Sequence, residues 1–219
     1  MARTSPPSER ARRLVGARPW GRHHTEAAAG VGLLGVSWLL AARTDTVADW
    51  EVRVFDIVNG LPGAWRWPVW PVMQLGNFWM VVAGGIGVYA FTRRARPALA
   101  ASSAVLLGWV VAKVVKHAVQ RGRPEDLLEQ VQLREAGVHG RGYVSGHTTT
   151  AFALATVVTP LLPGRWRVAP YALASAVGLA RIYYGAHLPL DVVGGAGLGI
   201  LCGLVASIAF GTIHPIHER

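Results

Sequence analysis

The chain has a single cysteine, Cys202, among its 219 residues, which excludes an internal disulfide and a thiolate metal cluster. Cys202 falls in an apolar run and reads as a small buried hydrophobe. Lysine is almost as scarce. Lys113 and Lys116 are the only lysines among 22 basic residues, and both lie inside an apolar segment. The formal charge of +10 therefore rests on arginines gathered at the ends of apolar segments, which suits membrane topology signals better than a nucleic-acid surface. No internal repeat is visible, which argues against an inverted-repeat transporter. No small-residue cleavage site follows the first apolar run, so the N-terminus reads as a retained arm rather than a secretory leader.

What the chain does have is apolar length: 52% hydrophobic residues, nine Trp and a positive mean hydropathy predict an all-α integral membrane protein in one domain. Residues 1–25, carrying Arg3, Arg10, Arg12, Arg13, Arg18 and Arg22, form a basic cytoplasmic arm, with His23 and His24 solvated on it. Residues 26–211 hold six predicted spans, and 212–219 a short tail in which His214 and His217 carry no signal. The spans run over Ala27 to Ala42, Val69 to Phe91, Pro97 to Val119, Thr148 to Leu162, Val168 to Ile182 and Leu188 to Phe210. The first is short against the roughly 20 residues a bilayer core requires. Between the first two, Arg43 to Trp65 alternates charged and apolar residues at helical spacing and is expected to lie as an amphipathic helix at the interface. Trp65, Trp67, Trp70 and Trp79 mark the entry to the second span, at headgroup level. The arm, Arg93/Arg94/Arg96 and Arg165/Arg167 fall on one side and most acidic residues on the other. Both termini are thus expected in the cytoplasm of a plasma-membrane protein.

The unusual polar residues collect at the opposite, outer ends of the spans. Arg181, His187 and Asp191 stand at the junction of two apolar segments, where ionisable groups are functional candidates. His187 and Asp191 are four apart, on one helical face if the last helix starts near His187. Pro189 suits a first turn, and Gly185 the bend before it. An Asp held against one ring nitrogen fixes the tautomer and leaves the other nitrogen to act. Lys116 and Arg123 are two helical turns apart, with Pro124 ending that helix. Ser145-Gly146-His147 opens another helix, whose free N–H groups suit an anion. Together these groups describe a cradle for a tetrahedral dianion, with a nucleophile beside it. Arg123 and Arg181 would offer paired donors and Lys116 a point charge. His187 would attack phosphorus, while His147 would protonate the departing alkoxide and then activate water.

Lys116-x6-Arg123-Pro124, Ser145-Gly146-His147 and Arg181-x5-His187-x3-Asp191 resemble the three-part signature of the type 2 phosphatidic acid phosphatase family, which shares its site with vanadium-dependent haloperoxidases. The resemblance implies a helical phosphatase core with His187 as nucleophile, Asp191 as its partner and His147 as acid. It places Lys116, Arg123, Ser145, Gly146 and Arg181 around the phosphate and implies no metal or other cofactor. Val144 and Ala180 depart from the family's usual Pro and Ser, and a looser turn at Val144 is expected to let Ser145 move. The implied activity is hydrolysis of a membrane lipid phosphate on the outer face, with the bilayer delivering a polyprenyl phosphate or diphosphate, phosphatidate or phosphatidylglycerol phosphate. Ala- and Arg-rich, Lys-poor usage suggests a high-GC bacterium and favours a carrier or envelope lipid.

Other readings exist for each residue. Lys116 and Arg181 could snorkel, Ser145 could merely cap a helix, and His187 with Asp191 could be a buried structural pair or, with His147, a zinc site short of a ligand. Lys113 reads as structural, snorkelling or pairing with an acid. A phosphotransferase would use the same phosphohistidine with an alcohol as acceptor. A lipid-binding or flipping protein would not require both histidines, and a haloperoxidase would be soluble.

Overall fold

A computed structural model describes residues 20–42, 46–135 and 139–212 of the chain, so His214 and His217 lie outside the described residues. Among these residues the regular structure is entirely helical: α1 Trp20–Ala42, α2 Asp49–Asn59, α3 Arg66–Gln74, α4 Met80–Thr92, α5 Ala95–Ala118, a single turn α6 Pro124–Leu127, α7 Gly146–Val158, α8 Ala169–Tyr183 and α9 Pro189–Ala209. Three of them, α1 from His23, α5 and α9, are long and apolar enough to cross a membrane, and α4 is a shorter apolar helix. Their outward faces carry Val31, Val36 and Leu39 on α1, Leu99 and Val114 on α5, and Val82 and Ile86 on α4. Such continuous apolar surface is stable against lipid and not against water.

The central helix is α9, packed on α7, α1 and α5. In its apolar window 67% of residues are buried, against 17% for α1 and 33% for α5. Close approach is permitted by a run of glycines. A Cβ on Gly195 would come 2.7 Å from the Ser145 carbonyl, and one on Gly203 2.5 Å from Thr156 Cβ. One on Gly197 would stand 2.6 Å from the Leu34 nitrogen of α1. Small residues that bring backbones together are how helices gain contact area where lipid removes the hydrophobic drive.

Several elements differ from expectation. Lys116 and Arg123 do not share a helix: the chain turns extended at Val119, so α5 stops at Ala118, and Pro124 opens α6 with Arg123 as its N-cap instead of ending the earlier helix. The second apolar segment is broken into α3 and α4, because the intervening turn is drawn onto α7. The Gly76 carbonyl accepts the Thr150 hydroxyl, and a Cβ on Gly76 would lie 2.5 Å from the His147 carbonyl. The helix expected within Arg43 to Trp65 is α2, followed by a 3-10 turn Gly63–Trp65, but its amphipathicity runs polar-inward. Glu51, Phe55 and Asn59 face the interior, while Trp50, Val54 and Ile57 point out. Asn59 explains the choice: its amide donates to the Gln132 carbonyl (3.0 Å) and the Tyr183 carbonyl (3.0 Å), and its oxygen accepts Gln132 N–H (2.9 Å). This ties α2 to the end of α8. At the N-terminus, α1 begins at Trp20, so His23, expected on a solvated arm, sits on a helix 3.8 Å from the Glu26 carboxylate.

Candidate active site

The site forms where helix starts and ends meet. Two helices begin there. Ser145 is the N-cap of α7: its hydroxyl accepts Thr148 N–H (3.5 Å) and the Thr148 hydroxyl (2.9 Å), which leaves its own proton for another acceptor. Ser145 N–H donates to the Asp191 carbonyl (2.9 Å), joining the start of α7 to that of α9. Val144 is fully buried and the cap on Ser145 is formed, so the departure at 144 leaves the serine anchored. Around Gly146 nothing lies within 4 Å of a would-be Cβ, so the side of α7 at its first residue borders open space.

Gly185, at φ +73°, makes the bend between α8 and α9, with Ala186 N–H closing onto the Arg181 carbonyl (3.0 Å). A side chain there would meet both this backbone strain and the Gln132 carbonyl. The bend delivers His187, 3% exposed, with Nδ1 3.4 Å from Asp191 Oδ2. The same Oδ2 accepts Leu188 N–H (2.9 Å), as an acid in the first turn of a helix commonly does. Burial, and then the charges of Lys116, Arg181, Arg123 and His147, push the His187 imidazole well below its ordinary value.

The cations also hold the surrounding loops. Lys116, near the end of α5, donates to the Arg141 (2.8 Å) and Gly142 (3.0 Å) carbonyls, keeping one of its three protons free. Arg123 donates from Nε to the Gly140 carbonyl (3.0 Å) and from Nη1 to the Ala186 carbonyl (2.8 Å), with Nη2 left over. Burial and Arg181 lower Arg123, while Asp191, Glu125 and Glu135 oppose that. Arg181, at the end of α8, spends Nη1 on Glu135 Oε2 (2.5 Å) and the Met73 sulfur (3.1 Å). Its Nε–H is buried and has no partner among the described residues, an unmet donor of the kind an oxyanion would satisfy. Lys113 is outside this set: its ammonium lies 3.4 Å from the Trp109 ring centroid, a cation–π contact in place of the acid partner considered from sequence. No three His, Cys, Asp or Glu side chains among the described residues group as a metal site.

Sequence reasoning missed Glu51, Arg121 and Glu135. Arg121 donates from Nη2 to Glu51 Oε2 (2.5 Å) and from Nη1 to Glu51 Oε1 (3.1 Å) and Asp191 Oδ1 (3.1 Å). Glu51 Oε1 also accepts Leu190 N–H (2.9 Å). A signal existed in the 51, 55, 59 spacing, which puts Glu51 on the face shared by Phe55 and Asn59. Nothing local distinguishes Glu135.

A family model described as PAP2 superfamily matches residues 97–214. A lipid A 1-phosphatase of Rhizobium johnstonii is 33% identical over 110 residues, 48% of this chain and 45% of the relative. A decaprenylphosphoryl-5-phosphoribose phosphatase of Mycobacterium tuberculosis is 30% identical over 143 residues, 64% of this chain and 76% of the relative. The chain thus spans about half or less of the length of the lipid A 1-phosphatases it matches. Among solved structures, LpxE of Aquifex aeolicus superposes with a TM-score of 0.66 at 27% identity, covering 74% of this chain and 98% of that one. A phosphatidylglycerolphosphate phosphatase of Bacillus subtilis shares the fold with a TM-score of 0.64 at 21% identity, covering 87% and 98%. Motif residues, helical architecture and family match coincide over the same stretch of chain, which belongs to the PAP2 superfamily.

Proposed function

We propose that the protein is a membrane lipid phosphate phosphatase acting through a phosphohistidine. The observation that carries this is the buried His187–Asp191 pair, 3.4 Å apart, with Arg123 bonded to the neighbouring Ala186 carbonyl and Ser145 N–H to the Asp191 carbonyl. Asp191 occupies the Nδ1 side, so Nε2 is the attacking nitrogen. As the Nε2–P bond forms, the ester P–O bond breaks and the leaving oxygen takes a proton from His147. Burial, Arg181, Lys116 and Arg123 lower that imidazole to about 3, and the negative charge of the bound phosphate offsets those cations so that it carries the proton. Water then attacks phosphorus, His147 accepts its proton, and the N–P bond breaks to release phosphate. Lys116, Arg123, the Arg181 Nε–H, Ser145 and the Gly146 end of α7 stabilise the charge on the non-bridging oxygens throughout.

On this reading the chain crosses the membrane six times, with the site at the outer face and both termini inside. The three long helices cross directly, and α3 with α4, α7 with its following 3-10 turn, and α8 supply the other passages. The substrate is a phosphate on a lipid, in keeping with the lipid phosphatases among its relatives. Purified protein is expected to release phosphate from a panel of polyprenyl phosphate, polyprenyl diphosphate, phosphatidate and phosphatidylglycerol phosphate, in the presence of chelator. His187→Ala should be silent. Turnover by the alanine variant would refute the nucleophile, and loss of activity in chelator would refute metal-free chemistry.

A further inference from the structure

The Asp191 carboxylate is held from two sides. Oδ2 faces His187 and Leu188 N–H, and Oδ1 faces Arg121. The Arg121 side chain is 6% exposed, and both of its terminal nitrogens are engaged by carboxylates. Burying this arginine requires a second acid, because a lone pair with Asp191 would leave much of the guanidinium unmet. Glu51 supplies it through both oxygens, while accepting Leu190 N–H at the first turn of α9. Three elements distant in sequence therefore meet at one guanidinium: α2, the segment before α6, and the start of α9.

We propose that Arg121, clamped by Glu51, is a positioning residue for the Asp191–His187 pair. The proposal rests on the phosphohistidine reading above. With Oδ1 fixed by Arg121, the carboxylate plane cannot rotate, and Oδ2 stays aimed at His187 Nδ1. The imidazole is then kept in one tautomer with the opposite nitrogen directed at phosphorus. Glu51 and Asp191 outweigh burial and hold the Arg121 guanidinium above its ordinary value, so its charge is permanent. Arg121 differs in kind from Arg123: both of its terminal nitrogens bond carboxylates, those of Glu51 and Asp191, where Arg123 bonds backbone carbonyls.

The test uses full-length protein in detergent, with decaprenyl phosphate and phosphatidate as substrates and orthovanadate as the phosphate probe. Arg121→Met leaves Glu51 buried and unpaired, so the pair is also removed together as Glu51→Gln/Arg121→Gln, whose two amides can bond each other and still accept Leu190 N–H. In the double variant kcat should fall about 10- to 100-fold, the range seen when the outer partner of a working histidine is lost. KM and the vanadate inhibition constant should stay within about twofold, as for a group that touches no phosphate. In an Asp191→Asn background the same double change should cost nothing further, because Arg121 acts only through that carboxylate. Wild-type kcat in the double variant, a vanadate constant weakened in parallel with kcat, or losses that add to Asp191→Asn would overturn the proposal. An inactive wild type, or an active His187→Ala, would instead sink the phosphatase reading beneath it.

Discussion

His187 is buried, and that burial first, then the charges of Lys116, Arg181, Arg123 and His147, disfavours its imidazolium form. A nucleophile must be neutral, and a lowered pKa keeps it neutral in more acid solution than an ordinary histidine tolerates. The ring signals of His187, assigned by their loss in His187→Ala, should titrate with a midpoint below the 6.5 of an unperturbed imidazole. A midpoint at or above that value would mean that the cations do not face the ring. Arg181 offers a second test. Glu135 is bound to the guanidinium that a phosphate would use, so carboxylate and substrate compete for it. Glu135→Gln should strengthen vanadate inhibition by about three- to tenfold, the scale of a half-exposed charge-assisted contact. Unchanged or weaker inhibition would show that Glu135 supports the arginine instead. The candidate site was legible to the extent that its residues are tied by short spacing. Lys116 and Arg123, Ser145 and His147, and Arg181 and Asp191 are each within ten residues of one another in the chain. Glu51, Arg121 and Glu135 were not legible, because their partners are separated by 70 residues for Glu51 and Arg121, and 46 for Glu135 and Arg181, and no local pattern records such pairings.

At the scale of elements, α9 depends on having almost no side chain where it touches α7. A Cβ on Gly199 would press on the Thr149 carbonyl and stand 2.7 Å from Phe152 Cβ. Gly35 on α1 has nothing within 4 Å. Gly199→Val should destabilise by about 1–3 kcal/mol, the usual cost of overpacking a close contact, whereas Gly35→Ala, in open space on a helix, should leave the protein as stable in detergent as wild type or stabilise it by up to about 1 kcal/mol. Equal melting of the two variants would mean that α9 and α7 are not closely packed. Helix positions were largely legible, since apolar length and terminal prolines and glycines are local properties. The division into α3 and α4 was not, because it follows from Gly76 docking on His147. Nor was the inward polar face of α2: alternating charge and apolar residues look alike whether the apolar side meets lipid or protein.

For the whole molecule, the arginine distribution predicts the orientation of the bundle. With Cys202 replaced by Ala, a single cysteine at Glu129 should react with an impermeant maleimide in intact cells, and one at Arg94 only after lysis. Both positions are exposed. The inverse pattern would put the cradle on the cytoplasmic side and exclude a substrate from the outer leaflet.

The bond between Glu51 and Arg121 also constrains how the nascent chain is built. Glu51 leaves the ribosome 70 residues before its cation exists, and an unpaired carboxylate is costly inside hydrocarbon. The native seat of α2, with Glu51 inside, is therefore open to it only once Arg121 has been made behind α5. The start of α9, which bonds both Glu51 and Arg121, comes later still, so this three-way junction closes only when the last described helix has been synthesised.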